Sequence, residues 1–201
     1  TSTGGQIALV DSKDSNKVLA TPLIYILIDR WSRFVVSVYI TLRPASWEAL
    51  RVAMRIAFTS RARRTAHFGN PLDDAEWPVG VPPAQIFVDR GSEMISESML
   101  HAAVDGLGIV PQILPPLTPD GKGIVENVIK VLKRKLKNKR ITGLYDKQVM
   151  DPKRRSAKKQ ARVAAVYTLA ELYRVLLAEV VRHNNKNVHS WLKRRSILKV
   201  N

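Results

Sequence analysis

Leu23-Ile24-Tyr25-Ile26-Leu27-Ile28, closed by Asp29, is a six-residue apolar run without a charged side chain. A strand that alternates apolar and polar positions has one dry face, whereas a continuous run is expected of a central strand covered on both faces. Its neighbours Ile7–Val10 and Phe34–Leu42 are also rich in β-formers, and the turn DSKDSN and the corner RWSR separate the three. The pattern predicts an antiparallel meander.

Downstream, Ser46 after Pro44 is an N-cap candidate, and Leu50, Ala53, Met54, Ala57 and Phe58 recur at helical spacing. Thr65–Ala84 is polar with four prolines and reads as a surface loop. Gln85–Val88 reads as a fourth strand, Ser96–Asp105 as a helix and Val110–Leu114 as a fifth strand. PPLTPDGKG then breaks the chain ahead of a helix opened by Glu126. That helix places Val125, Val128, Ile129, Leu132 and Leu136 on one side. Glu126, Lys130, Lys133 and Lys137 follow a second stripe. Thr168 and Glu171 form a capping-box pattern before Leu169, Leu172, Leu176 and Val180, predicting a last amphipathic helix.

The net charge of +16 is concentrated. Between Asn127 and Gln160 thirteen Lys or Arg face only Asp146 and Asp151. Clustered positive charge points to a polyanionic partner and favours a track along a nucleic-acid backbone. The absence of cysteine excludes disulfides and thiolate chemistry. The four histidines have no zinc-like spacing, and His183 and His189 read as solvated surface. Trp31, Trp47 and Trp77 read as core or loop anchors, while Trp191 beside Lys193 is a packing residue or a base-stacking one. Arg63 and Arg64 are candidates for phosphate contact. No apolar run approaches the ~20 residues of a membrane span. The chain opens on Thr1 rather than Met and is expected to be a segment of a longer polypeptide.

Two acidic residues stand out. Asp89 ends the strand QIFV, and Glu126, 37 residues later, heads the lysine-lined helix. Separately, each has an ordinary explanation, a strand-end carboxylate or a helix N-terminal glutamate. Together, with DRG around the first and GKG before the second, they suit phosphodiester chemistry, in which carboxylates hold metal ions and nearby cations hold the backbone. Gly121 and Gly123 would let backbone and phosphate approach closely.

Three blocks, LIYILIDRWSRFVVSVYI, QIFVDRGSEM and LTPDGKGIVENVIKVLK, together with the later RHNN, resemble the retroviral-integrase-like DDE transposases, most closely the TnsB-type subunits of bacterial transposons. The resemblance implies an α/β, RNase H-like fold. Its mixed five-stranded sheet would begin with three antiparallel strands, flanked by helices, then a basic linker and a C-terminal helix. On this reading residues 1–142 are the catalytic core, 143–160 the linker and 161–201 a helical extension. Asp89 matches the family's second catalytic aspartate and Glu126 its glutamate. Lys130 and Lys133 match DNA-contacting basic positions, and Lys122, Arg134 and Lys137 join them as candidates. Asp29 matches a recurrent aspartate that is not a metal ligand. The first catalytic aspartate falls on Thr1, so this segment is expected to have little activity by itself; Asp11 and Asp14 belong to a turn.

The resemblance further implies two magnesium or manganese ions, cleavage of transposon-end DNA and its joining to target DNA. It also implies a homo-oligomer synapsed on DNA, an AAA+ ATPase regulator and accessory transposition subunits. Expected localisation is the bacterial cytoplasm, at the nucleoid, with no membrane. Two alternatives stay open: an inactive RNase H-like DNA-binding platform, and a structure-specific nuclease of the same fold.

Overall fold

In the structure, a computed structural model, residues 6–7, 9–19, 21–69, 71–88, 101–113, 119–138, 144–145 and 166–186 are described. The elements run β1 (Gln6–Ile7), β2 (Leu23–Ile28), β3 (Val35–Thr41), α1 (Trp47–Ala57), α2 (Ala62–Ala66) and β4 (Gln85–Val88). A π-helical turn (Ala102–Gly106) follows, then β5 (Val110–Ile113), α3 (Pro119–Asn138), β6 (Leu144–Tyr145) and α4 (Leu169–Lys186).

The β2–β3 hairpin is the middle of three layers. Leu23, Tyr25 and Leu27 point to one side, where they meet Ala49, Leu50, Ala53 and Met54 of α1. Ile24, Ile26 and Ile28 point to the other, into a cluster with Val128, Leu132 and Leu136 of α3 and Leu172, Leu176 and Val180 of α4. Every position of β2 therefore has an apolar neighbour, which is why the run is unbroken. Ser46 caps α1 by accepting a bond from the Ala49 N–H at 3.3 Å, and its own N–H donates to the Tyr25 hydroxyl at 3.1 Å. β4 and β5 pair in parallel, Gln85 opposite Val110 and Val88 opposite Ile113. Ile86 and Ile109 tie that pair to the α1 layer.

Among the described residues β3 has β2 on one edge only, and side chains bind its other edge at Val35, Val36 and Ile40. Pairing passes from Leu27–Ser37 to Ile28–Val35, so Val36 is an inserted bulge residue. Asn184 of α4 accepts from the Val35 N–H at 2.9 Å and donates to the Val35 carbonyl at 3.0 Å. Trp77 Nε1 donates to the same carbonyl at 2.7 Å. Further along, the Tyr173 hydroxyl accepts from the Ile40 N–H and donates to the Ile40 carbonyl. Burial pushes the Tyr173 phenol up to about 12, against a downward pull from the Ile40 backbone bond. The bulged Val36 carbonyl accepts from Arg61 at 2.9 Å.

Arg61 is the most unusual core residue. It is 2% exposed, stacks over the Trp77 ring at 4.3 Å, and donates to the carbonyls of Ile56, Trp77 and Pro78 as well. Burial lowers its guanidinium to about 10, still charged at neutral pH because the carbonyl oxygens replace its lost water. Gly80 fits beside it for want of a side chain: a Cβ there would overlap Val36 Cγ1 and crowd the Ala57 carbonyl.

Several expectations change. Among the described residues the strands are seen as three two-stranded sheets, β1–β6, β2–β3 and β4–β5, and the wider five-stranded pairing is not seen. The segment expected to begin the meander pairs instead with Leu144–Tyr145, a strand inside the expected linker, and Leu9 and Val10 bridge to Tyr167 and Val18. The proline-rich 65–84 segment is irregular and mostly exposed beyond α2, as expected of a surface loop, but it is anchored to the core. Leu72 and Trp77 are buried in it, and Thr65 binds Leu72 through both backbone groups. α3 begins at Pro119, so PDGKG is its first turn and not a break. RHNN lies within α4 rather than after it. Only 101–113 of the predicted 96–114 stretch is described, and its helical part has π geometry. The α4 capping box forms as predicted, with Glu171 accepting from the Thr168 N–H and hydroxyl at 2.8 Å. Those bonds, the backbone one first, hold the Glu171 carboxyl below its usual range. No helix among the described residues is long and apolar enough to cross a membrane.

Replacing Asn184 by Ala leaves the buried Val35 N–H unsatisfied and should cost about 1–3 kcal/mol. Asn185→Ala, which removes only an exposed bond to the Glu76 carbonyl, should stay within about 0.5 kcal/mol. Urea unfolding of both variants checks the difference.

Candidate functional site

α3 is twenty residues long and divides its faces cleanly. Val128, Leu132 and Leu136 are buried against α4 and the hairpin. At ~100° per residue, Glu126, Lys130, Lys133, Arg134 and Lys137 occupy helix positions within about 100° of arc, turned roughly 140° from that buried row. Glu126, Lys130 and Arg134 are exposed and Lys133 is half-buried. Glu126 and Lys130 of the stripe read from spacing are therefore on the open side of the helix, with the carboxylate two turns in from Pro119.

The opposite side is fixed electrostatically as well as by packing. Glu179 of α4 is fully buried and accepts from Arg182 Nη1 at 2.7 Å. Burial lowers the Lys135 ammonium below its usual range, and the Glu179 charge pulls it partly back. Lys135 lies half a helical revolution from Glu126, so a cation held toward α4 turns Glu126 away from it.

Asp89 and Thr1 lie outside the described residues; Val88, the last described residue of β4, is buried. Lys122 is placed on the first turns of α3 by its backbone. Trp191, Lys193 and His189 also lie outside the described residues. The remaining acidic candidates have local duties. Asp29 accepts from the Ser32 N–H at 2.6 Å and its hydroxyl at 2.5 Å, closing the corner, in keeping with its structural assignment. Asp11 and Asp14 accept from the N–H groups of Lys13 and Asn16, two residues on. The Lys13 bond, with Lys17 at 3.4 Å, holds the Asp11 carboxyl down. Among the described residues no three His, Cys, Asp or Glu side chains gather closely enough to hold a metal ion.

Two other assignments change. His183 is buried, with Nε2 3.3 Å from the Arg33 carbonyl, and is not a surface residue. Trp77 is a core anchor, but Trp31 is 59% exposed at the hairpin corner. Arg63 is exposed, while Arg64 lies 6.0 Å from the Tyr39 ring centroid. Spacing could not separate these cases, because burial here comes from contacts between α4 and a strand about 150 residues away.

Residues 2–141 match the family described as the TnsB C-terminal domain. The chain belongs to that family. It is 31% identical over 133 residues to the transposon Tn7 transposition protein TnsB of Escherichia coli, an overlap of 66% of this chain and 18% of that protein. The chain thus spans less than a fifth of this relative's length. Its fold is similar to that of a chain in the cryo-EM structure of a simian T-cell lymphotropic virus intasome in complex with PP2A regulatory subunit B56 gamma. There the TM-score is 0.50 at 19% identity, covering 93% of this chain and 49% of the other. The second likeness is one of fold. The mixed α/β architecture is integrase-like, and the family is a transposase family.

Gly123 lies in α3, exposed, and a Cβ there would meet nothing within 4 Å. Gly123→Ala should raise stability by roughly 0.5–1 kcal/mol, the usual gain in a helix interior. Thermal unfolding measures it, and an unstabilised variant would contradict the early start of α3.

Proposed function

We propose that this domain is the catalytic core of a DNA transposase, an RNase H-like fold that cleaves transposon ends and joins them to target DNA. In this reading β1 to β5 belong to one mixed sheet of the RNase H type. Asp89 and Glu126 are two of its three catalytic carboxylates. The single observation that carries the proposal is the division of α3: its buried row faces α4, while Glu126, Lys130 and Arg134 share the exposed arc. A carboxylate among cations on one edge of a rigid rod suits a site that holds a metal ion against a phosphate. Family membership supplies the second support.

The donor chemistry suits magnesium or manganese. Asp89 and Glu126 offer hard carboxylate oxygens, and magnesium takes one or two carboxylates and completes its shell with water and substrate phosphate. When bound, such an ion supplies an activated oxygen nucleophile and neutralises charge on the displaced oxygen. Glu126 would hold it from the helix side and Asp89 from the end of β4. A second reading, an inactive DNA-binding platform, would apply if the threonine at position 1, which the resemblance aligns with the family's first aspartate, were a true replacement. Lys122, Lys130, Lys133, Arg134 and Lys137 would lie along the phosphate backbone, fixing position rather than reading sequence. The same reading brings a homo-oligomer synapsed on DNA, an AAA+ ATPase regulator, accessory subunits and action at the bacterial nucleoid.

In the full-length transposase, Glu126→Ala and Asp89→Ala should each abolish magnesium-dependent strand transfer while end binding persists. Lys130→Ala with Arg134→Ala should lower the salt dependence of binding, each lost phosphate contact removing ~0.9 from the slope of log K against log salt. Gel assays of joining and titrations at several salt concentrations provide the readouts. Undiminished joining by Glu126→Ala protein would remove Glu126 from the catalytic set, and no joining by the unaltered full-length protein would leave only the platform reading.

A further inference from the structure

A second group of cations lies across the hairpin from α3, and it is of a different kind. Residues 43–66 contain six arginines, no lysine and a single acid, Glu48, whereas α3 carries five lysines and one arginine. α1 covers the hairpin on the face opposite α3 and α4. Its Glu48, Arg51 and Arg55 are exposed and share about 60° of arc, turned away from the row Ala49, Leu50, Ala53 and Met54. Arg51 pairs with Glu48 at 2.5 Å. Arg61 belongs to the core, where its bonds to the Ile56 and Ala57 carbonyls fasten the start of α2 to the end of α1. Arg55 in the last turn of α1 and Arg63 in α2 therefore flank one fixed joint. Arg43, Arg55 and Arg63 are exposed, and among the described residues their guanidinium groups have no hydrogen bond or ion pair. The acidic turn after α2 is engaged locally: Asp73 accepts from the Ala75 and Glu76 N–H groups, and Asp74 from the Arg61 N–H. The α1 dipole accounts for Arg55 at the helix C-terminus. It does not account for Arg43, which precedes the Ser46 cap at the end where a cation is disfavoured.

We propose that Arg43, Arg55 and Arg63 form a second DNA-binding surface, a phosphate-backbone site on the α1–α2 layer, so that one domain can hold a second duplex while the α3 arc holds the first. The inference rests on the DNA-acting reading above and adds a second ligand site to it. A guanidinium presents its N–H donors as a planar fork that matches a phosphate in two bonds at once, which an ammonium cannot do. Guanidinium groups without an acidic partner keep those donors for an incoming anion. The sign of the chain's charge, +16, matches a polyanion. Because the hairpin separates α1 from α3 and α4, the two cationic surfaces belong to opposite layers, and one duplex need not exclude the other.

The test fixes one duplex on beads, adds the protein at low salt, and measures retention of a second, labelled duplex. The unaltered protein should retain it. Arg43→Gln, Arg55→Gln and Arg63→Gln combined should lower that retention about ten-fold or more, while affinity for a single duplex changes about two-fold at most, because the α3 arc is untouched. Arg43→Lys, Arg55→Lys and Arg63→Lys combined keep the charges and should retain more of the second duplex than the glutamine variant does. Melting temperature should stay close to that of the unaltered protein in both, since the three side chains are exposed. Full retention by the glutamine variant, the result expected if two protomers each hold one duplex, would overturn the second surface while leaving the DNA-acting reading intact. Equal losses of first-duplex and second-duplex binding would do the same, as would an unaltered protein that binds one duplex and never a second. Equally strong retention of labelled poly-glutamate in place of the second duplex would assign the arginines to an acidic protein and overturn it too. Failure of the unaltered protein to bind even one duplex would remove both readings.

Discussion

The outer edge of β3 is the constraint on which the rest of this molecule hangs. An unpaired strand edge exposes backbone groups that must find partners or recruit another chain. Here the partners are side chains: Asn184 and Trp77 at Val35, Arg61 at the bulged Val36, Tyr173 at Ile40. Each comes from a different part of the sequence. Closing one edge therefore docks α4, folds the proline-rich 65–84 segment onto the core, and fixes the hairpin in one orientation. The Val36 bulge makes this possible, because it turns successive β3 backbone groups toward those partners.

The functional surfaces follow from that docking. α4, once seated on β3, offers Leu172, Leu176 and Val180 to the apolar row of α3, and Glu179 lies within electrostatic reach of Lys135. α3 can then lie in one rotation only, with Glu126 and its cations outward. At the other end of α4, His183 meets the Arg33 carbonyl and steadies the corner that carries Trp31. The buried charges have a consistent logic. Arg61 is surrounded by carbonyl oxygens and Glu179 by Arg182, so neither leaves an uncompensated charge in the core. The charges at Glu126, Lys130 and Arg134, by contrast, lie on the exposed arc of α3, away from the apolar row and the Lys135 cation that seat the helix.

Much of this was legible in local pattern. The unbroken LIYILI run indicated a strand with two covered faces, and it has them. The strand at Gln85–Val88, the Ser46 cap and the Thr168–Glu171 box are where spacing put them. These features depend on neighbours a few residues away, so sequence carries them directly. The misreadings share the opposite cause. His183 looks like a surface residue until a helix and a hairpin corner far apart in the chain enclose it, and Arg61 and Asn184, buried in the same way, carry no local signal of it. Trp31, read as a core or loop anchor, sits in the hairpin corner with most of its surface exposed, which its residue type alone could not decide. PDGKG looks like a break because glycine and proline punctuate helices, yet proline is welcome in a first turn, and α3 begins with it. For the candidate site, spacing correctly placed Glu126 and the basic positions on a face apart from the apolar row. Their relation to Asp89 is a question of tertiary approach that no periodicity encodes.

The claim that Asp89 and Glu126 meet around a pair of divalent cations can be tested directly by affinity cleavage. Iron(II) replaces magnesium in the full-length protein bound to its DNA, and ascorbate with peroxide then cuts the backbone close to the ion. The account predicts two sets of cuts, around residue 89 and around residue 126, both suppressed by excess magnesium. Cuts at one of these positions without the other, or at neither, would contradict it.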